Sequence, residues 1–228
     1  MPNIHDFVLR LAMVHETRDE DRAIQAVIDP ALGMFDCQHA SVMMRHCGSR
    51  IETAAYTDDT ALRADQLQIV YGQGPCLTAL EAGAAHRIDD AATDPRWNTW
   101  GVMVAGIGIR SVLTVPLAGG DGQTIGSLNL YADRTCAFDV DDEAIAHILA
   151  THATIALEKV RLESRIRAVI DGRTAIGQAQ GIVMERYGVT DEQAYSLLNR
   201  YSQQLNVKLR LIADEVAQSR MLPAPDQP

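Results

Sequence analysis

The amino-acid sequence predicts an α+β fold: an antiparallel sheet with flanking helices, then a long linker helix, then a C-terminal three-helix bundle. Three observations predict it. Between Cys37 and Tyr131 the apolar residues pass from alternation to helical spacing and back, the pattern of short helices interleaved with an antiparallel meander. From Asp141 to about Arg186 there is no proline, and apolar residues recur at heptad spacing. From Ile166 to Arg220 the chain parses into three amphipathic segments joined by short turns. The expected divisions are 1–140, a linker helix over 141–165, a three-helix domain over 166–220, and a disordered tail over 221–228. With 228 residues, 47% hydrophobic and 22% charged, the chain has globular composition and room for two domains.

Asp6 to His15 reads as a short helix. Asp19 caps a second one, whose Ala23, Ile24, Val27, Ile28, Ala31 and Leu32 fall at helical spacing before Gly33. Cys37–His46 and Arg50–Tyr56 read as strands joined through Cys47-Gly48-Ser49. Thr60–Val70 and Pro75–Ala82 read as helices, with Pro75 in a first turn where its missing N–H costs nothing. Arg87-Ile88-Asp89 is at most a short strand, Asp90–Asn98 a loop, and Trp97–Ala105 a helix. The strongest strand signals are SVLTVPL over Ser111–Leu117 and TIGSLNLY over Thr124–Tyr131, with Gly119-Gly120-Asp121-Gly122 as the turn between them.

In the linker, placing Ile145 at heptad position a puts Ile148, Ile155, Leu162, Val169 and Ile176 at d, all apolar. The a positions are Ile145, His152, Lys159, Ile166 and Arg173. That pattern fits a two-stranded coiled coil in a homodimer, with polar a residues fixing the register. A helix packed on its own sheet is the alternative, and the two readings are compatible. Asp171-Gly172 and Gly177 weaken the helix by about 1 kcal/mol per glycine relative to alanine, so a kink is expected there.

Beyond the linker, Val169, Ile170, Ile176, Ala179, Val183 and Met184 make a first stripe that ends at Tyr187-Gly188. Thr190 with Gln193 three residues on forms a capping-box pattern ahead of Ala194, Leu197, Leu198 and Tyr201. Asn206 breaks that helix, and Leu209, Ile212, Ala213 and Val216 make a third stripe.

Charge is unevenly distributed. The chain carries −10, yet Arg165–Arg220 holds eight basic and six acidic side chains, so +2 sits there and −12 elsewhere. Broad adhesion to nucleic acid or membrane is excluded, and any polyanion must bind locally at the C-terminal segment. Solvated helix faces are the other reading of the same charges. The N-terminus lacks a signal-peptide pattern, no apolar run reaches transmembrane length, and Cys37, Cys47, Cys76 and Cys136 form no disulfide framework, so a reducing cytoplasm is expected.

The sequence offers little for catalysis. It holds no G-x-S-x-G, no phosphate-binding G-x-x-x-x-G-K-[ST] and no H-E-x-x-H. Cys37, His39, His46 and Cys47 lie on neighbouring strands, but at most three of them converge on one face, which argues for buried cysteines and surface histidines over a metal site. Cys76 sits in a first helical turn, where amide dipoles favour a thiolate, and is the candidate redox or sensor residue. A buried structural thiol is the competing reading. Trp97 and Trp100 line a pocket or fill the core, with core expected for at least one.

Several of these motifs resemble known families. Gly72-Gln73-Gly74-Pro75-Cys76 opening a helix, the pair of strands Ile109–Leu117 and Ile125–Leu130, then Phe138 and Asp142-Glu143, resemble a GAF domain. The resemblance implies a small-molecule sensing fold, without naming the ligand. Members that bind cyclic nucleotides carry an Asn-Lys…Phe…Asp-Glu signature, which Asn129, Phe138, Asp142 and Glu143 match while Leu130 replaces the lysine. Tight cyclic-nucleotide binding is therefore not expected. Arg173-x-x-Ile176-Gly177-Gln178-Ala179-Gln180-Gly181-Ile182-Val183-Met184-Glu185-Arg186, then Ala194, Leu198, Ser202, Asn206, Lys208 and Ala213, resemble an ANTAR domain. That resemblance implies an RNA-binding three-helix module acting in transcription antitermination on stem-loops of leader transcripts. The polar set Arg173, Gln178, Gln180, Arg186, Ser202, Asn206 and Lys208 is expected at the RNA, with phosphates held by the cations and unstacked loop bases met by the amides and hydroxyls. Two other readings remain. One is a helical tail that docks a protein partner without RNA; the other is a redox enzyme of the methionine-sulfoxide reductase type, disfavoured by the lack of a close cysteine cluster.

Overall fold

The computed structural model describes residues 20–28, 31–46, 50–120 and 122–223. The expected Asp6–His15 helix, the Asp19 cap, the Cys47-Gly48-Ser49 connection, Asp121 of the glycine-rich turn and residues 224–228 of the expected tail lie outside them. The chain divides into two compact units, 1–161 and 162–228.

In the first unit, α1 (Glu20–Ile28) and α2 (Ala31–Met34) precede strands β1 (His39–Arg45) and β2 (Ile51–Tyr56). Then come α3 (Asp59–Tyr71), α4 (Pro75–Ala82), β3 (His86–Ile88), a 3-10 turn over Pro95–Trp97, α5 (Asn98–Ala105), β4 (Ser111–Ala118) and β5 (Thr124–Ala132). The five strands form one antiparallel sheet in the order β2-β1-β5-β4-β3. Gly33 falls inside α2 rather than after a helix, and Leu32 is exposed rather than in the apolar stripe.

Helix α3 starts where it does because the Asp58 carboxylate accepts from the amides of Thr60 and Ala61, a cap worth about 1 kcal/mol. The same carboxylate pairs with His39 Nδ1 at 2.7 Å, tying the cap to β1. Gly72 ends α3 at φ 63°, a left-handed conformation that costs glycine nothing. Proline at the first turn of α4 is as expected.

The sheet is buried on both faces, and the two faces differ. On one, Val42, Met44, Leu113, Val115, Leu117, Leu128 and Leu130 pack against α1, α2 and the start of α6 (Val140–Tyr187). Ala146, Leu149, Ala153, Leu157 and Val160 of α6 are part of that core. Packing on this face of the sheet therefore extends well beyond residue 140, because the first turns of the long helix supply side chains the sheet needs. On the other face, α3, α4 and α5 cover the sheet around Trp97, Trp100, Val104, Ile109 and Val112. Both tryptophans are core residues.

Helix α6 runs as one helix through Gly172 and Gly177, so neither glycine ends it. A single glycine weakens a helix by about 1 kcal/mol without breaking it, and the packing of neighbouring turns offsets that loss. In the second unit the end of α6, α7 (Asp191–Gln204) and α8 (Leu209–Ser219) form the three-helix bundle, with Ala175, Ala179, Val183, Ala194, Leu198, Ile212, Ala213 and Val216 at its centre. Gly188 ends α6 at φ 63°. Thr190 and Gln193 form both bonds of the capping box. Asn206 turns the chain at φ 51° between α7 and α8.

Two glycines make opposite predictions. A Cβ on Gly101 of α5 would stand 2.0 Å from the Ala91 carbonyl oxygen, whereas one on Gly177 meets nothing within 4 Å. Urea titration should show Gly101→Ala destabilised by about 1–3 kcal/mol from overpacking, and Gly177→Ala unchanged or more stable by up to about 1 kcal/mol. A neutral Gly101→Ala would mean that α5 has room to move off the Ala91 carbonyl.

Candidate functional site

In the first unit the candidate site is the face of the sheet beneath α3 and α4. Strand alternation puts Ser41 and Met43 of β1, Thr114 of β4, and Ser127, Asn129 and Tyr131 of β5 on that face. His86 joins the row through its register with Thr114. An interface formed only for packing would be apolar; this one is rich in hydroxyls and amides.

Its centre is Asp65 of α3, 0% exposed. The carboxylate accepts from Tyr131 Oη at 2.5 Å, Thr53 Oγ1 at 2.9 Å, Ser41 Oγ at 3.0 Å and Asn129 Nδ2 at 3.4 Å. Burial pushes Asp65 up to about 6, against the pull of its four donors. Gln68, one turn along α3, accepts from the Cys76 amide at 2.8 Å and donates to its thiol. Three buried polar atoms on this side of the sheet have no hydrogen-bond partner: His86 Nε2, Ser127 Oγ and Asn129 Oδ1. Burial also lowers the pKa of His86, favouring the neutral ring. Buried groups left in this state are those that a small polar ligand or ordered water would satisfy.

Cys76 does not behave as its helix position predicts. It is wholly buried, and burial, reinforced by Asp65, pushes its thiol up to about 12. Desolvation outweighs the amide dipoles of a two-turn helix, so the group stays a protonated thiol. Cys37 is likewise pushed up to about 12 by burial and bonds the Ala31 carbonyl. His39 pairs with Asp58 and His46 with Glu52, so these three side chains serve separate contacts. Cys47 lies outside the described residues.

The four residues of the cyclic-nucleotide signature do not converge. Asn129 faces the polar layer, while Phe138 packs in the opposite core. Asp142 accepts from the Asp139 amide, and Glu143 faces Arg87 at 3.8 Å. Leu130 is buried in the opposite core, where a lysine would have no access to this layer.

In the second unit the seven residues expected at RNA separate into two groups. Arg173, Gln178, Asn206 and Lys208 are exposed, and among the described residues their side chains make no hydrogen bond. The others already have structural partners. Gln180 donates to Asp191 at 2.8 Å, tying α6 to the start of α7. Arg186 donates through Nη1 to the Arg220 carbonyl at 3.0 Å, closing the end of α8, and keeps its remaining donors exposed. Ser202 donates to the Val207 carbonyl at 2.6 Å, bracing the Asn206 turn. Arg173 and Gln180 lie on one face of α6, two turns apart, and Gln178 lies about 140° round from Arg173. Arg200, outside that set, lines a surface groove of about 560 Å³ with Val189, Glu192, Gln193, Ser196 and Leu197.

The apolar d series of α6 is exposed in this chain: Ile148 45%, Ile155 50%, Leu162 57% and Val169 56%, whereas Ile176 packs onto the bundle core. Among the described residues no helix is long and apolar enough to cross a membrane.

Comparison with known proteins places this geometry. The GAF domain profile matches residues 17–158, and the ANTAR domain profile matches residues 164–216. No curated protein matches the chain. Among solved structures, the free methionine-R-sulfoxide reductase of Neisseria meningitidis is similar at TM-score 0.55 and 17% identity, over 69% of this chain and 89% of its own. A GAF3 domain from Synechocystis gives 0.53 and 16%, over 65% and 99%. A methyl-accepting chemotaxis protein segment gives 0.52 and 14%, over 67% and 97%. At such identities the likeness is one of fold.

The cysteines supply a test. In a Cys47→Ser background, a thiol reagent at pH 8 should modify exposed Cys136 in the native protein, and Cys37 and Cys76 only after denaturation. Native-state labelling of Cys76 at the rate of Cys136, read by mass spectrometry, would mean its chamber is open to solvent.

Proposed function

The chain belongs to the GAF domain family and continues into an ANTAR domain, and from that premise we propose a cytoplasmic, signal-responsive RNA-binding regulator of transcription antitermination. The GAF domain receives a small-molecule signal in the polar layer around Asp65. The observation that carries this half is the set of unpartnered buried atoms, His86 Nε2, Ser127 Oγ and Asn129 Oδ1. The reading makes the protein a regulator rather than an enzyme, and the buried Cys37 and Cys76 thiols, held protonated, support it.

The ANTAR domain binds RNA stem-loops. Supporting this half are the +2 charge of Arg165–Arg220 in a chain of −10, and the exposed Arg173, Gln178, Asn206 and Lys208. Arg186 adds a cation through its exposed donors. Gln180 and Ser202 act by positioning the helices and the Asn206 turn. Phosphate contacts supply affinity and loop bases supply choice.

The protein works as a homodimer. The supporting observation is the exposed row Ile148, Ile155, Leu162 and Val169, an apolar series at seven-residue spacing that a second copy of α6 covers by knobs-into-holes packing. Arg173 continues the a series beside that row, so pairing near it and RNA contact compete for the same side chain.

Two measurements test this reading. Arg173→Ala and Lys208→Ala should each weaken binding to every stem-loop and lower the salt slope by about one. Asn206→Gly, which keeps the left-handed turn, should instead cost sequence preference. Circular dichroism confirms folding first; variants that bind like the parent across a full salt series would move the RNA face elsewhere.

Dimerisation is tested separately. Ile155→Lys with Leu162→Lys should yield monomers in sedimentation velocity. A double variant that still sediments as a dimer would put the interface on another surface.

A further inference from the structure

Asp65 is a buried carboxylate, and among the described residues it forms no ion pair. Helix α3 packs on β1, β2, α4 and α5. Of the titratable groups on the surrounding elements, Tyr131 of β5 and Cys76 of α4 face it, and burial raises the pKa of both, so both stay neutral. The other charged groups are directed elsewhere. On β1, His39 pairs with Asp58, and Arg45 donates to the Leu80 carbonyl. On β2, Glu52 pairs with Arg50 and His46, while Tyr56 is exposed. Asp59, Arg63 and Tyr71 of α3 and Glu81 of α4 are exposed, and neither α5 nor β4 carries a titratable side chain.

The four donors around Asp65 are three hydroxyls and one amide. Hydroxyls both donate and accept, so Ser41, Thr53 and Tyr131 can reverse to accept from a protonated carboxyl without any side chain leaving its place. The network therefore tolerates both charge states. They differ in the cost of holding an uncompensated charge beneath α3, which four hydrogen bonds reduce but do not cancel.

We propose that Asp65 makes the seating of α3 on the sheet proton-dependent: the protonated carboxyl seats the helix firmly, and ionisation loosens it above the polar layer. The inference rests on the reading of this layer as the sensing site, and makes the proton one of its inputs. Loosening is transmitted to α4, because Gln68 of α3 holds both the Cys76 amide and its thiol at the start of that helix. The exchange is one proton between Asp65 and solvent.

The direction follows from linkage. The folded protein holds this proton up to about pH 6, above the ordinary carboxylate value of 3.8. Opening or unfolding between roughly pH 4 and 6 therefore releases a proton, so stability falls as pH rises through that window and levels off above it. If an opened α3 returns Asp65 to its ordinary value, the opening equilibrium at pH 7.5 exceeds that at pH 4 by on the order of 100-fold.

Hydrogen exchange of the α3 amides in the full chain, corrected for intrinsic rates, tests this at pH 5 and pH 7.5. Protection should be lower at pH 7.5 in the wild type. In Asp65→Asn it should be high and equal at both values. Tyr131→Phe removes one donor to the carboxylate, so the midpoint of the change should move to higher pH. Equal α3 protection at both pH values in the wild type, or a pH-dependent difference that persists in Asp65→Asn, overturns the proposal. If Asp65→Asn fails to fold, the direction of the Tyr131→Phe shift decides. No RNA or small molecule enters the measurement, so failure of the RNA reading leaves it intact. A proton response without any bound small molecule would still separate it from the ligand-sensing reading.

Discussion

A β-sheet covered on both faces must satisfy two interiors with one set of strands, and this constraint governs the sensor unit. Alternation assigns each residue of β4 and β5 to one side. Leu113, Val115, Leu128 and Leu130 go to a purely apolar core. Thr114, Ser127, Asn129 and Tyr131 go to a layer where every polar atom needs a partner. A slip of one residue in the β1–β5 register would exchange the two sets and bury unpaired hydroxyls against α6. The apolar face thus fixes the register, and the register places the chemistry on the opposite face. The helices follow the same division: α1, α2 and the start of α6 bring aliphatic side chains, while α3 and α4 bring Asp65, Gln68 and Cys76.

Much of this was legible in the sequence. The strands over 111–117 and 124–131 were visible, each one residue short of the observed end, because alternation with β-branched residues leaves few other options, and the Thr190 capping box was visible because two residue types at fixed spacing satisfy two specific amides. The polar layer was not. Ser41, Thr53, Asp65 and Asn129 come from three strands and a helix, and nothing local in any of those segments says that they meet. Asp65 reads as a surface residue of an amphipathic helix until the fold buries it. Cys76 shows the opposite problem: its local setting favours a thiolate, and a non-local effect, desolvation, reverses the sign. Gln180 and Ser202 matched a family pattern without revealing that their contacts are to Asp191 and the Val207 carbonyl.

The second unit reaches its stability differently. Its core is small, built from alanines and a few branched residues that let helices approach closely, and each end is secured by a polar device: the Thr190–Gln193 box, the Asn206 turn braced by Ser202, and the Arg220 carbonyl held by Arg186. Many of its family-typical polar residues are therefore part of the scaffold. What remains free for a partner is a sparse set of cations and amides, which suits recognition of a shaped, charged and partly unstacked molecule better than recognition of an apolar one.

Helix α6 contributes side chains to both hydrophobic cores from one uninterrupted run of backbone. Its exposed apolar row, Ile148 to Val169, consequently depends on helical phase. Adding one residue between Val160 and Ala175 would turn everything downstream by about 100° around the axis, while adding seven would turn it by only about 20°. An insertion of one residue after Val160 would therefore split the row Ile148, Ile155, Leu162 and Val169 between two faces of the helix.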